Sequence, residues 1–178
     1  VTGASPVDPI PSMNVPLSGA PVISDNGRWV FFESRATNLV TSVAPSNSIN
    51  IYVRDTWSNT TALVTATTNG NPALGQAEMV DVSRDGRFVG FISTNRSLVP
   101  GVANTGSDFY IRDVTQGTTQ WGSEGASALL TGTNTAYRVG AATMSADGAH
   151  IALLIQSTTS VWAWKAVTNN SFQVIASS

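Results

Sequence analysis

The chain contains no cysteine, a single histidine (His150) and a single lysine (Lys165). Without cysteine there is no disulfide framework, no thiolate nucleophile and no cysteine zinc site. Charge is scarce too. Charged side chains make up 11% of the 178 residues, where a soluble domain ordinarily carries about 25%. A net charge of −2 and a pI near 5.1 argue against a basic nucleic-acid-binding surface. No run of about 18 apolar residues occurs, so no segment is suited to span a membrane as a helix.

In place of charge the chain carries small polar side chains: Ser, Thr and Asn account for 55 of the 178 residues. A surface rich in hydroxyls and amides points to an extracellular, periplasmic or cell-surface setting. The lack of cysteine does not contradict this, because disulfides are common outside the cytoplasm without being required. The first residue is Val1 and no signal-peptide pattern precedes the domain, as expected of a processed or trimmed N-terminus.

Three segments of the chain align with one another. They are Pro21–Phe32, with Ser24-Asp25-Asn26-Gly27-Arg28; Val80–Phe91, with Ser83-Arg84-Asp85-Gly86-Arg87; and Ala142–Leu153, with Ser145-Ala146-Asp147-Gly148-Ala149. Each places an Asn-Gly or Asp-Gly turn between two apolar runs, a strong hairpin signal. A second element follows each turn: Asn50-Ile51-Tyr52-Val53-Arg54-Asp55, then Asp108-Phe109-Tyr110-Ile111-Arg112-Asp113, and more weakly Ser160-Val161-Trp162-Ala163-Trp164-Lys165. From glycine to the aligned basic residue is 27 residues in the first copy and 26 in the second, but 17 in the third, so the third unit has a shorter loop. No segment sustains a 3.6-residue period, and each unit reads as four short strands. Four-stranded units recurring at about 60 residues are a signature of β-propeller blades.

The run Ser83-Arg84-Asp85-Gly86-Arg87-Phe88-Val89-Gly90-Phe91, with Tyr110-Ile111-Arg112-Asp113 and the turn Gly117-Thr118-Thr119, resembles the WD40-like (PD40) repeats of TolB-type β-propellers. The resemblance covers residues 21–178 and implies an all-β fold of three four-stranded blades, about 21–68, 79–124 and 141–178. It implies little about function, since such blades serve binding, scaffolding and enzyme-attached roles.

Three blades make a poor ring, because propellers typically have four to eight. The expectation is a partial propeller, or one completed by oligomerisation, with open faces that invite association. Residues 1–20 are extended and proline-rich, which fits a linker, an edge strand, or an arm that pairs with a neighbouring subunit.

The search for chemistry favours structural roles. His150 with Asp147 and a serine could be read as a hydrolase triad, but no Gly-x-Ser-x-Gly elbow supports it. His150 shares its column with Trp29 and Phe88 and is expected to pack as they do. Asp25, Asp85 and Asp147 recur at turns, where Asp beside Gly is a turn former rather than a calcium ligand. Arg54-Asp55 and Arg112-Asp113 are expected to form local ion pairs or hydrogen bonds into the following turn. Glu33 is unmatched in the other copies, and with Glu78 it is weighed as a glycosidase pair. Three Asn-x-Ser/Thr triplets, at Asn59, Asn95 and Asn169, matter only in a glycosylating host. No catalytic, cofactor or metal residues are expected.

Trp57, Trp121, Trp162 and Trp164 are the residues expected to serve interaction, although blade-to-blade packing is the commoner use of such aromatics. The function expected is a non-enzymatic extracellular or cell-surface binding and assembly module. It would act through protein–protein contacts of its blades, with protein partners or copies of itself. The alternatives are a carbohydrate-binding propeller with a glycan partner, or the non-catalytic propeller part of a secreted hydrolase.

Overall fold

A computed structural model describes residues 21–42, 44, 47–130, 136–168 and 171–177. The expected linker or arm at 1–20 lies outside the described residues. The fold is all-β: three four-stranded antiparallel sheets, each a propeller-like blade built in sequence order. Blade 1 is β1 (Val22–Ile23), β2 (Trp29–Ser34), β3 (Asn50–Asp55) and β4 (Thr60–Leu63). Blade 2 is β5 (Ala77–Val82), β6 (Phe88–Ser93), β7 (Asp108–Asp113) and β8 (Thr118–Trp121). Blade 3 is β9 (Arg138–Met144), β10 (His150–Gln156), β11 (Ser160–Ala166) and β12 (Gln173–Ser177). Two 3-10 turns, Arg96–Leu98 and Ala126–Leu129, sit in the longer connections.

The turn between the first two strands of each blade is set by its serine. In blade 2 the Ser83 hydroxyl donates to Asp85 at 2.7 Å and accepts the Phe88 amide at 2.8 Å, while the Gly86 amide closes on the Ser83 carbonyl. Ser24 and Ser145 make the same contacts with Asn26 and Asp147. Only the glycine takes a positive φ, from 72° to 75° in the three copies. The turn is therefore a type I turn followed by a left-handed glycine, not the mirror-image turn with two positive φ values.

Alternation along each strand gives every blade two buried-type faces. One apolar cluster joins blades 1 and 2 through Phe31, Ile51, Val53, Val89, Phe91 and Tyr110. A second joins blades 2 and 3 through Phe109, Ile111, Met144, Ile151, Leu153 and Ile155. Blade 2 is thus covered on both sides, and it supplies Val89 and Phe91 to one neighbour and Phe109 and Ile111 to the other. Apolar burial of this kind contributes about 1.5–3 kcal/mol for each large side chain.

The third blade departs from the others where the sequence is shorter. Its β10–β11 connection is a tight hairpin in which Gln156 pairs with Ser160. In blade 1 the residue before β3 reaches the next blade: the Ile49 amide donates to the Gly75 carbonyl, and the Ala77 amide donates to the Ile49 carbonyl. Ser107 does the same from blade 2, giving its hydroxyl to Val139 O and accepting the Val139 amide. Blade 3 has lost the loop that would make this reach.

Candidate functional site

The three serine–glycine turns converge around a shallow hollow of about 600 Å3 lined by Asp25, Asn26, Arg84, Asp85, Ala146 and Asp147. A ladder of backbone hydrogen bonds runs through it. The Asp25 amide donates to the Arg84 carbonyl at 3.0 Å, and the Arg84 amide donates to the Ala146 carbonyl at 2.8 Å. These three residues hold one repeat column, two places before the glycine. The carbonyl of Asp25 and the amide of Ala146 are the ladder's two ends, and neither has a backbone partner among the described residues.

Two acids of this hollow, Asp85 and Asp147, are committed to their own turns. The Ser145 hydroxyl and the Ala149 amide hold Asp147 below the usual carboxylate range. Burial pushes Asp85 up, but the Ser83 hydroxyl and the amide and charge of Arg87 outweigh it and leave it lowered. Asp25 is not in their column, which Asn26 fills; it sits instead 3.3 Å from Arg84 across the blade 1–blade 2 junction. No group of three or more potential metal ligands occurs among the described residues.

The turn glycines of blades 2 and 3 each seat their blade on an aromatic ring of the blade before. A Cβ added to Gly86 would lie 2.6 Å from Trp29 Cδ1, and one added to Gly148 would lie 2.6 Å from Phe88 Cδ2. No described residue lies within 4 Å of the same position on Gly27. The third aromatic of this column is His150. It is exposed, with its ring 6.0 Å from that of Trp164. It lies on a strand, as expected, but it is not packed as Trp29 and Phe88 are, because among the described residues no blade sits on it.

The same contrast runs along the neighbouring strand. Ile51, Phe109 and Trp162 share a column and are 0%, 0% and 41% exposed; Val53, Ile111 and Trp164 are 2%, 2% and 37% exposed. Trp162 lies opposite Leu154 and Trp164 opposite Ala152, so the two indoles share one face with His150. The other face of blade 3 carries Ile151, Leu153 and Ile155 into the junction with blade 2. On the far side of blade 1 the columns run the other way. Val30 and Phe32 are half-buried, whereas their counterparts Val89, Ile151, Phe91 and Leu153 are 0–2% exposed.

The other two tryptophans differ in kind. Trp57 stands in the β3–β4 turn, 69% exposed, with the Arg28 guanidinium 5.1 Å from its ring. Trp121 is half-buried and gives its indole N–H to Asp108 at 2.8 Å. Asp108 is a buried hub that spacing alone did not reveal. It also accepts from Ser123 at 2.6 Å, Tyr137 at 2.7 Å and Asn104 at 3.1 Å. Burial first, and then the Asp108 carboxylate, drive the Tyr137 hydroxyl far above its usual range.

The recurring Arg-Asp pairs also resolve into structure. Asp55 takes Arg28 at 2.8 Å and accepts the amides of Trp57 and Ser58 in the following turn. Asp113 does the same with Arg87, Thr115 and Gln116. Arg54 and Arg112 turn instead to Thr61 and Thr119. Glu33 accepts the Met79 amide at 2.6 Å and so ties blade 1 to blade 2. Burial raises its carboxyl, the Met79 amide lowers it, and the nearby charge of Glu78 adds to the rise.

No family model matches the chain, and no curated protein sequence does. Among solved structures it is similar to a prolyl endopeptidase, with a TM-score of 0.48 and 11% identity over 90% of this chain. The chain spans 22% of the length of that enzyme, and an identity of 11% carries no activity from one to the other.

Proposed function

We propose that this protein is a non-enzymatic binding and assembly module of the extracellular space or cell surface, working through protein–protein contacts of its blade faces. The observation that carries the reading is the exposure of Trp162 and Trp164 in two columns that are 0–2% exposed in blades 1 and 2. Large aromatics gathered on one sheet face are the material of interface centres. The hydroxyl- and amide-rich composition supports the extracellular setting. The blades resemble WD40-like repeats, whose rigid sheets and variable loops suit binding.

Hydroxyl-radical footprinting of the protein as isolated from its source tests this. Trp162 and Trp164 are expected to be shielded there by a protein neighbour and to become reactive when the chain is diluted alone. Equal reactivity in both states overturns the reading. Shielding of the two indoles by added oligosaccharide, without a protein neighbour, replaces it with carbohydrate binding.

A further inference from the structure

The geometry points to a second copy of this chain as the occupant of the exposed blade 3 face, its blade 1 docked head to tail. This rests on the proposal that the blade faces bind protein, and it names the partner.

The two internal junctions define what a blade interface in this chain requires. The preceding blade offers an aromatic socket, two apolar columns on its third strand, and a backbone amide at the turn. The following blade offers a left-handed glycine, two apolar columns on its second strand, and the turn carbonyl that accepts that amide. At the free end of blade 3 the first set is present and uncovered: His150, Trp162, Trp164 and the Ala146 amide. At the free side of blade 1 the second set is present: Gly27, with open space over its Cβ position, half-buried Val30 and Phe32, and the Asp25 carbonyl.

Donor and acceptor match in direction as well as in place. Within the chain, the turn amides of blades 1 and 2 donate to the carbonyl of the blade that follows. The Ala146 amide of one copy would therefore donate to the Asp25 carbonyl of the next. Gly27 would seat on His150 as Gly148 seats on Phe88. Trp162 and Trp164 would cover the Val30 and Phe32 columns.

This junction would lack the cross-blade contact made by Ile49 and Ser107 inside the chain, because the tight hairpin of blade 3 has no counterpart. It is therefore a dissociable contact. Two three-bladed copies closing on each other would give six blades, within the usual range of four to eight; a contact that does not close would give an open series.

Sedimentation velocity of the 178-residue chain over a wide concentration range tests the inference. The expected result is association that rises with concentration, ending at twice the chain mass if the contact closes or in a continuing series if it does not. Trp164→Arg, on an exposed position, should weaken it about thirtyfold or more. Ala146→Pro replaces the N–H with the ring Cδ, so the donor is lost. It occupies the second position of a type I turn, where proline is favoured, so the fold is kept while association weakens roughly fivefold.

A labelled wild-type chain mixed with excess Trp164→Arg should still form pairs, because the variant keeps its blade 1 face. A symmetric contact between two blade 3 faces would give none, and would overturn the head-to-tail arrangement. A monomer at every concentration, or association indifferent to both variants, overturns the inference itself. Footprinting that then shows Trp162 and Trp164 shielded by a different protein would leave the broader proposal standing.

Discussion

Phe88 and Gly148 meet so closely that a single added methyl group on the glycine would lie 2.6 Å from the ring. The pair shows how successive blades are held. A residue without a side chain, at φ 73°, lets the backbone of one blade rest on an aromatic of the blade before.

This predicts a graded series. Gly27→Ala should cost about 1–2 kcal/mol, from its backbone conformation alone. Gly86→Ala and Gly148→Ala carry the same backbone cost plus a clash with Trp29 or Phe88, and should lose about 2–4 kcal/mol. Denaturant unfolding of dilute protein gives the comparison. Equal losses at all three positions would contradict the seating of turn on ring.

Asp108 should be among the costliest polar positions. Asp108→Ala removes the shared carboxylate from Trp121, Ser123, Tyr137 and Asn104, breaking four hydrogen bonds at a buried group, and a loss of about 3 kcal/mol or more is expected. Asp108→Asn keeps one oxygen and should cost less. Thermal melts of the two variants check the order.

Acid should weaken the fold through the carboxylates that arginine holds down. Arg28 lowers Asp55. In Asp113 the contacts from Arg87, Gln116 and Thr115 outweigh the rise caused by burial. A carboxyl with a depressed folded pKa contributes stability above its unfolded value near 3.8 and loses it as pH falls through the folded value. Asp113→Asn should therefore flatten the loss of stability below pH 4. Glu33, raised in the fold, acts with the opposite sign. Melting temperatures from pH 6 to pH 2 give the slope.

Alkali should first strengthen the fold. Lys165 is 2% exposed, gives its ammonium to the Glu124 carbonyl at 3.1 Å, and lies 4.7 Å from the centre of the Phe172 ring. Burial lowers it to about 8 from 10.5. Between those values the unfolded chain binds the proton and the folded chain has released it, so stability rises with pH. Lys165→Met should remove the rise. The window is best read below pH 10, because burial raises Tyr52, Tyr110 and Tyr137 and they act in the other direction above it. Chemical unfolding at pH 7.5 and pH 9.5 measures the difference.

The repeat was legible because glycine, the turn serine and strand alternation are all local signals. Ser24, Ser83 and Ser145 sit a fixed three residues before Gly27, Gly86 and Gly148, and the four strands of each unit follow from them. What stayed hidden depends on register between strands or on a neighbouring blade. Asp55 lies next to Arg54 in sequence, but the antiparallel pairing of Trp29 with Asp55 brings Arg28 to it instead. Glu33 meets Met79 across 46 residues. Asp108 gathers partners from the loop before it and from two later segments, and no short pattern encodes that. His150 shared a column with Trp29 and Phe88, yet a column fixes only the direction a side chain points. Its burial depends on a following blade, which Trp29 and Phe88 have and which the described residues do not supply to His150.

Residue-resolved hydrogen exchange at Arg84 and Ala146 tests the account most directly. Both amides hold the same place in the turn, but only Arg84 has the next blade's carbonyl to bond. The account predicts that the Arg84 amide is protected at every concentration. The Ala146 amide should exchange fast in dilute solution and slow as copies associate. An Ala146 amide indifferent to concentration, or an Arg84 amide that exchanges freely, would contradict the open ladder and the joining of blades through it.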